Sequence, residues 1–273
     1  MSLGSAQTPV MLSLSSHDPS GSTGIQADIE TAISLGCHCC TVVTALCARD
    51  TRQLIDLVPT DANLIIEQTR AILADMPIKA IKLGYFCQVS QIEALHTILC
   101  DYPDLPVVLD PVVNLSISRP DLPQLDSGKQ LIRALQNLLL PLASVVTPDI
   151  VEAHQLAQRA DSVDACGQEL LDYGGKAALI TGACRTPDNY ENRLYRQQQP
   201  MRPYPWPRLR LFSHGSGATL SASIAAYLAH GFLFEDAIEQ GQQYTWNCLQ
   251  ASRRLGMGHC IPNRLHWATG QTR

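Results

Sequence analysis

A helix late in the sequence opens with small and hydroxyl-bearing residues, in the run Ser213-His214-Gly215-Ser216-Gly217-Ala218-Thr219-Leu220. Residues this small leave successive backbone N–H groups accessible at the start of the helix, where the dipole adds about half a positive charge. Such a turn can act as an anion hole that stabilises a transferring phosphoryl group. An ordinary glycine turn before a helix has the same sequence pattern, so this segment alone leaves both interpretations open.

Carboxylates follow two predicted strands, at Asp110 and in the run Thr147-Pro148-Asp149-Ile150-Val151-Glu152. Asp110 and Glu152 could hold Mg²⁺, usually through water, and phosphoryl transfer depends on such metal clamping. Asp149 could instead cap a helix, with Glu152 as a favourable charge in its first turn. Judged from these residues alone, the capping interpretation is the stronger of the two.

Ten cysteines raise the question of a metal site, because Cys37, Cys39 and Cys40 surround His38. Zinc sites need four ligands, usually as two separated pairs, and no second C-x-x-C occurs in the chain. The run leads into an apolar segment that reads as a buried strand, where free cysteine serves as a small hydrophobe. We therefore expect structural cysteines in a reducing cytoplasm.

The composition limits the function classes. Of 273 residues, 45% are apolar and 16% charged, with a formal net charge of −5. No basic stripe is present, so a nucleic-acid partner is not expected. The apolar runs fall far short of the roughly 18 residues that a membrane span requires, and no secretory signal opens the chain. Residues 1–8 read as a tag or a disordered segment.

Short β-branched runs alternate with longer helical ones, which predicts a mostly parallel sheet with helices on both faces, in one domain spanning 1–273. The predicted strands cover residues 10–15, 41–46, 78–83, 107–109, 144–146 and 177–180. The predicted helices cover residues 24–35, 61–75, 89–99, 131–140, 163–173, 218–230 and 234–254. The proline-rich stretch 185–212 could hold edge strands around 194–195 and 209–212. Ligands of such sheets bind at the carboxyl ends of the strands, where the polar segments of this sequence collect.

The segment from Asp18 to Asp28 carries the most specific signal. It resembles the hydroxymethylpyrimidine/phosphomethylpyrimidine kinases of thiamine biosynthesis, in the ribokinase superfamily, whose hallmark is D-P-S-G-G-A-G-I-Q-A-D. Nine of the eleven positions are identical here, and Ser22 and Thr23 are the exceptions. Further family motifs follow in order, among them Lys82-Leu83-Gly84 and Gly258-His259, so that the resemblance spans roughly residues 9–262.

The resemblance implies a ribokinase-like α/β fold and the transfer of a phosphoryl group from ATP, with Mg²⁺, to an aminopyrimidine. It implies site residues by position. The substrate-binding positions are Asp28, Arg49 and Tyr85; the nucleotide-binding positions are Thr147, Thr181 and Gly182; the Mg²⁺-linked positions are Asp110 and Glu152; and the anion hole comprises Gly215, Ser216, Gly217 and Ala218. Members of the family are commonly dimers, which makes a homodimer an expectation.

The departures from the family pattern fall on the same positions. Ala218 replaces the cysteine that serves as catalytic base, and general base help is worth about 10²–10⁴-fold in rate. Arg49 replaces a glutamine that faces the pyrimidine, so a group with donors only stands where one could also accept. Thr181 replaces a nucleotide-site lysine, and Tyr85 replaces a methionine.

Two hypotheses of different classes follow from these observations. The retained anion hole, Asp110 and Glu152 favour an active kinase for hydroxymethylpyrimidine, phosphomethylpyrimidine or a related small hydroxymethyl compound. The replacements Ala218, Thr181 and Arg49 favour the alternative, a catalytically weak or inactive ligand-binding relative. A third possibility, pyridoxal kinase, shares the superfamily, but the segment from Asp18 to Asp28 favours the pyrimidine branch.

Overall fold

A single twisted sheet forms the centre of the protein. The computed structural model describes residues 8–113, 121–122, 124–209 and 213–270, so residues 1–7 of the predicted tag lie outside the described residues. The strands are β1 (Val10–His17), β2 (His38–Arg49), β3 (Leu54–Pro59), β4 (Ile78–Leu83), β5 (Val107–Leu109), β6 (Val145–Val146), β7 (Ala177–Arg185), β8 (Asn189–Arg196) and β9 (Arg202–Pro207). The helices are α1 (Gly24–Ser34), α2 (Ala62–Asp75), α3 (Val89–Cys100), α4 (Gly128–Ala134), α5 (Ile150–Leu156), α6 (Val163–Asp172), α7 (Ser216–Ala229) and α8 (Phe234–Gln250).

The strand order is β3-β2-β1-β4-β5-β6-β7-β8-β9. The pairs from β2 to β7 are parallel, whereas β3 at one edge and β8 and β9 at the other are antiparallel. The predicted mostly parallel sheet is therefore confirmed. Because parallel strands point the same way, the carboxyl ends of six strands share one edge of the sheet.

Helices cover both faces of the sheet because the strand residues alternate. Leu12 and Leu14 of β1 pack with the apolar residues of α2, α3, α4, α5 and α6. Met11, the residue before Leu12, points to the other face and packs with residues of α1, α7 and α8. Strands with apolar residues on both faces are typical of a sheet buried between two helical layers.

The structure corrects the sequence prediction at several elements. Strand β3 was not predicted, and helix α5 was anticipated only through the capping interpretation of Asp149. The first edge strand falls where expected, but the second is β9 rather than residues 209–212, of which 210–212 lie outside the described residues. Pro203, Pro205 and Pro207 alternate along β9, so their missing N–H groups all face the open edge, where no ladder bond is needed.

Half of the cysteines are buried, where they pack as small apolar side chains, and Cys100 and Cys184 are exposed. All ten are free thiols, and burial raises the pKa of the Cys37 thiol to about 11. Cys40 is buried as well, with its thiol 3.2 Å from the Met76 sulfur. These thiols are protonated at neutral pH, in keeping with the structural role expected of them. No helix within the described ranges has the length and apolar character to cross a membrane.

Candidate active site

A cavity of about 550 Å³ lies along the carboxyl ends of the parallel strands. Each of the six parallel strands contributes residues at or near its carboxyl end. The lining includes Ser16 of β1 and Asp18 after it, Arg49 of β2, Tyr85 after β4, Asp110 after β5, Thr147 and Asp149 after β6, and Thr181 of β7. The first turn of α7 closes the cavity with residues 213–218. The sheet topology thus brings together residues that lie far apart in sequence, as expected for this class of fold.

The N-terminus of α7 is built to leave its N–H groups available. Gly215 is the N-cap residue, with φ of 105°, and a Cβ there would lie 1.8 Å from the Ser22 carbonyl oxygen. Only glycine fits this combination. Since no side chain caps the helix, the N–H groups of Ser216, Gly217 and Ala218 have no acceptor within it. These are the N–H groups that the sequence pattern offers as a possible anion hole.

A second cavity of about 320 Å³ joins the first at this turn. The two share Thr181, Arg185, Tyr190, Ser213, Ser216 and Gly217. The far end of the second cavity is aromatic: the rings of Trp206 and Trp246 lie 6.4 Å apart with an angle of 27° between their planes. Two spaces that meet at an anion hole can hold a phosphoryl donor and an acceptor on opposite sides of the transferred group.

Asp149 and Glu152 form the capping box at the start of α5. The Glu152 N–H donates to Asp149 Oδ1 at 2.8 Å, and the Asp149 N–H donates to Glu152 Oε2 at 3.1 Å. The capping interpretation is therefore confirmed, and both residues line the large cavity all the same. Burial, reinforced by the charges of Asp110 and Asp149, raises the pKa of Glu152 to about 9.

Asp110 is buried beside the anion hole, and Ser221 Oγ donates to its Oδ2 at 3.3 Å. Burial raises its pKa to about 6, although Lys82 counters part of that effect. A cation beside these two buried carboxyls would favour their ionised form, and the carboxylate oxygens would be its ligands, so the pair fits Mg²⁺. Among the described residues no group of three or more His, Cys, Asp and Glu has metal-site geometry. The two carboxylates of Asp110 and Glu152 match Mg²⁺, which usually takes one or two carboxylates together with water and substrate phosphates.

Asp28 differs from the other predicted substrate residues in its position. It is fully buried in α1 and is not among the residues that line the cavity. Lys82 Nζ lies 3.0 Å from Asp28 Oδ2, and Ser13 Oγ donates to the same oxygen at 2.6 Å. Lys82 itself lines the cavity, 4.0 Å from Asp110 Oδ2. The structure therefore places Asp28 behind Lys82, where it holds a buried ammonium group beside the acidic end of the cavity.

Of the predicted nucleotide residues, Thr147 and Thr181 line the large cavity, whereas Gly182 lines neither. The Gly182 N–H instead donates to Asn192 Oδ1 at 3.0 Å. Arg185, four residues after Thr181, lines both cavities. A Cβ on Gly182 would lie 2.8 Å from the guanidinium of Arg185. The Arg185 side chain therefore passes directly over Gly182. Sequence reasoning missed Arg185 because it opens the stretch that looked irregular.

Arg264 is a second residue that the sequence did not reveal. It is 1% exposed, and its guanidinium donates to the carbonyl oxygens of Gly21 at 2.9 Å and Ser22 at 2.6 Å. It also donates to Thr219 Oγ1 at 3.0 Å and to Glu30. This side chain joins the loop after β1 to the first turn of α7. No sequence pattern marks it, since an isolated arginine after the Gly258-His259 motif reads as a surface residue.

Solved structures with the same architecture define the class of protein. A Bacillus subtilis pyridoxal kinase in complex with ADP superposes with a TM-score of 0.84 over 96% of this chain and 100% of that chain, at 24% identity. A phosphomethylpyrimidine kinase from Clostridium difficile superposes with a TM-score of 0.72 over 88% and 98%, at 27% identity. The fold is that of the ribokinase-like kinases, and the protein is a phosphotransferase.

Sequence comparison identifies the family. Residues 18–263 match the family model described as phosphomethylpyrimidine kinase. A hydroxymethylpyrimidine/phosphomethylpyrimidine kinase from Mycobacterium tuberculosis is 32% identical over 263 residues, covering 92% of each chain. Its counterpart from Escherichia coli is 29% identical over 256 residues, covering 92% of this chain and 94% of that one. The chain belongs to the phosphomethylpyrimidine kinase family. These relatives are kinases, which favours the catalytic hypothesis over the ligand-binding one.

Proposed function

We propose that the protein transfers the γ-phosphoryl group of ATP to hydroxymethylpyrimidine and phosphomethylpyrimidine, or to a related small hydroxymethyl compound. The observation that carries this proposal is the meeting of two cavities at the first turn of α7. The reaction is taken from the names of the relatives. The first turn of α7, which both cavities share, is the place where the phosphoryl group would be transferred. Donor and acceptor enter from opposite sides and need no covalent intermediate on the protein.

ATP occupies the smaller cavity in this proposal. Its base lies near Trp206 and Trp246, whose indoles offer flat apolar faces. Its phosphates extend toward Ser216 and Gly217, past the guanidinium of Arg185. The N–H groups at the start of α7 then bind the oxygens on which charge accumulates as the phosphoryl group moves.

The acceptor occupies the larger cavity, with its hydroxymethyl group toward Gly217 and its ring toward Tyr85 and Arg49. Asp110 and Glu152 would hold Mg²⁺ together with the phosphates of ATP. The metal, when bound, neutralises phosphate charge. Lys82 adds a buried positive charge 4.0 Å from Asp110.

We also propose that the protein acts in the cytoplasm as a homodimer. Its ten free thiols support a reducing compartment. Leu46 and Val58 support the dimer: they stand opposite each other on β2 and β3, and they are 56% and 60% exposed. Apolar pairs this exposed on an edge hairpin are typical of surfaces that pair with another chain.

The test is ADP release with hydroxymethylpyrimidine and phosphomethylpyrimidine, measured on the wild type and two variants at one position. Gly217→Pro deletes one N–H of the anion hole and should lower kcat by about 10²–10³-fold. Gly217→Ala keeps that N–H, and its Cβ would lie an ordinary 3.5 Å from Asp110 Oδ1, so it should retain most of the activity. Equal rates for the two variants would contradict the role proposed for the α7 turn, and no ADP release by the wild type with either compound would contradict these two substrates.

A further inference from the structure

Arg264 lies against the first turn of α7 without lining either cavity. Its side chain is fully buried, and a Cβ on Gly215 would lie 3.0 Å from its Nη2. Its carboxylate partner is Glu30, 3.1 Å from Nη1. A buried cation in this position does not bind a ligand of the cavities directly. Any effect that it has on the reaction must pass through its hydrogen-bond partners.

One path runs through the hydroxyl group of Thr219. Arg264 Nε donates to Thr219 Oγ1 at 3.0 Å, and that hydroxyl lies 2.8 Å from the Gly215 carbonyl oxygen. A guanidinium has donors only, so the hydroxyl accepts from it and gives its single proton to the carbonyl. The hydrogen bonds therefore run in one direction, from the guanidinium to the hydroxyl to the backbone.

The Gly215 carbonyl belongs to the same peptide group as the Ser216 N–H, the first donor of the α7 turn. A trans peptide group is planar, and its C=O and N–H point in opposite directions. Fixing the Gly215 carbonyl therefore fixes the direction of the Ser216 N–H, at a residue that lines both cavities. Consecutive hydrogen bonds also polarise one another. A charged donor at the start of this path thus makes the N–H a stronger donor to an anion.

A second path runs through the loop after β1. Arg264 Nη2 donates to the Ser22 carbonyl oxygen at 2.6 Å, and Nη1 donates to that of Gly21 at 2.9 Å. The Ser22 carbonyl packs directly on Gly215, where a Cβ would lie 1.8 Å from its oxygen. By holding this carbonyl, the guanidinium also holds the surface against which Gly215 packs. Both paths end at Gly215.

We propose that Arg264 is a positioning residue for phosphoryl transfer, which fixes and polarises the peptide group that presents the Ser216 N–H to the transferred group. The inference rests on the proposed function, since it assigns this residue to the anion hole of that reaction. A donor that is held in advance stabilises the charge of the transition state without reorganising. Breaking the path should therefore lower kcat, whereas the binding of ATP and acceptor, which other residues provide, should change little.

Thr219→Val tests the path because it keeps the shape of the side chain and removes the hydroxyl. Its kcat should fall by about tenfold or more, since misplacing a group by 1 Å can cost about 10²-fold. The KM values for ATP and the pyrimidine should change by less than about threefold. Thr219→Ser keeps the hydroxyl and should retain most of the rate. Kinetics are compared at a temperature at which circular dichroism shows every variant folded.

Thr69→Val is the matched control. Thr69 is buried in α2, and its hydroxyl donates to the Ile65 carbonyl oxygen at 2.6 Å. The variant loses the same kind of hydrogen bond at a position that lines neither cavity. Equal kcat values for Thr69→Val and Thr219→Val, or a loss confined to KM, would overturn the inference.

A double-mutant cycle with Arg264→Met connects the loss to the guanidinium. Thr219→Val should lower kcat little further in a chain that already lacks Arg264, because both changes break the same path. Full additivity of the two changes in ln kcat would show that Thr219 acts without Arg264, and it would overturn the inference as well.

A measurement without an acceptor separates the inference from the proposed substrates. Calorimetry gives the affinity for ADP and Mg²⁺ with and without aluminium fluoride, which stands in for the phosphoryl group in transit. Aluminium fluoride should tighten binding to the wild type, and Thr219→Val should lose about tenfold of that gain while binding ADP alone normally. This result sustains the inference even where the wild type phosphorylates neither pyrimidine. An aluminium fluoride effect that is absent from the wild type, or unchanged in Thr219→Val, overturns it even where both pyrimidines are phosphorylated.

Discussion

Ala218 is the residue at which catalysis departs most from the family pattern. It is 6% exposed and lines the cavity beside the anion hole. Its methyl group can neither accept nor relay a proton. We expect Ala218→Cys to raise kcat by about tenfold or more, because general base help is worth about 10²–10⁴-fold. Steady-state kinetics with the best acceptor measure the effect. Ala218→Ser, which fills similar space with a much weaker base, is the control.

An unchanged kcat in Ala218→Cys would be informative in its own right. Phosphoryl transfer passes through a loose transition state, in which little proton removal from the nucleophile has occurred. The anion hole and the cations around it would then account for the rate without a base. The wild type should in either case show a measurable residual rate, since electrostatic stabilisation does not depend on residue 218.

Thr181 stands where the family has a nucleotide-site lysine, and Arg185 is positioned to supply the positive charge in its place. We expect Arg185→Ala to weaken ATP binding by about tenfold, the lower range for a charge-assisted hydrogen bond at an exposed position. Thr181→Lys should change the affinity little in the wild type and restore most of it in Arg185→Ala. Titration calorimetry of the four proteins forms a double-mutant cycle, and Arg159→Ala, remote from both cavities, is the control. Tighter binding by Thr181→Lys alone, with no loss in Arg185→Ala, would contradict this role.

Sequence reasoning located the residues that lie in continuous motifs, and it failed where a side chain acts over a distance. The small residues of the α7 turn and the acids Asp110 and Glu152 all line the cavity, because their positions follow from strand and helix ends. The burial of Asp28 behind Lys82 could not be foreseen, since it depends on the packing of α1 against the sheet. Arg185 was hidden for a similar reason: its role depends on the direction in which its long side chain folds back.

At the scale of elements, Arg264 should govern how firmly α7 is held against the loop after β1. We expect Arg264→Met to lower the free energy of unfolding by about 2–4 kcal/mol, because three buried acceptors lose their donors. Arg254→Met, at an exposed position, should change it by less than about 0.5 kcal/mol. Urea denaturation measures both variants. Equal stability of the two would show that water or neighbouring groups satisfy these acceptors without the guanidinium.

Most of the helices and central strands were predictable because their apolar periodicity specifies them. The strand over 78–83 was predicted with the observed bounds, and α3 differs by one residue. Strand β3 escaped prediction because its exposed residues Ile55 and Val58 break the alternation of an ordinary edge strand. Strand β9 escaped because three prolines argue against a strand, and only the antiparallel register with β8 shows that they face outward.

At the scale of the whole molecule, His214 should make stability depend on pH. Its pKa is lowered from 6.5 to about 4 in the folded protein, by burial first and by the Arg49 charge second. Asp18, His259 and Arg264 are the other charged or titratable groups that act on it. Between these two values the unfolded chain binds the proton more readily. The free energy of unfolding should therefore fall by about 1–3 kcal/mol as pH decreases from 6.5 to 4.

Denaturant unfolding of the wild type and His214→Asn across this pH range isolates the effect, because the other titrating groups are common to both. As pH decreases below 6.5, the wild type should lose unfolding free energy relative to His214→Asn. Above pH 7 the difference in unfolding free energy between the two proteins should be constant. His38→Asn, at an exposed position, is the control and should follow the wild type. Parallel curves for the wild type and His214→Asn would show that the imidazole is solvated in the folded protein.

Translation delivers Arg264 after every residue that lines the two cavities, the last of which is Leu249. A nascent chain that has emerged as far as α8 holds all the wall residues but lacks the guanidinium that ties Gly21, Ser22 and Thr219 together. Ribosomes add about 5–20 residues per second, and domains generally fold from the N-terminus as they emerge. The sheet can therefore assemble during synthesis, whereas the first turn of α7 is tied to the loop after β1 only when Arg264 has left the ribosome and docked.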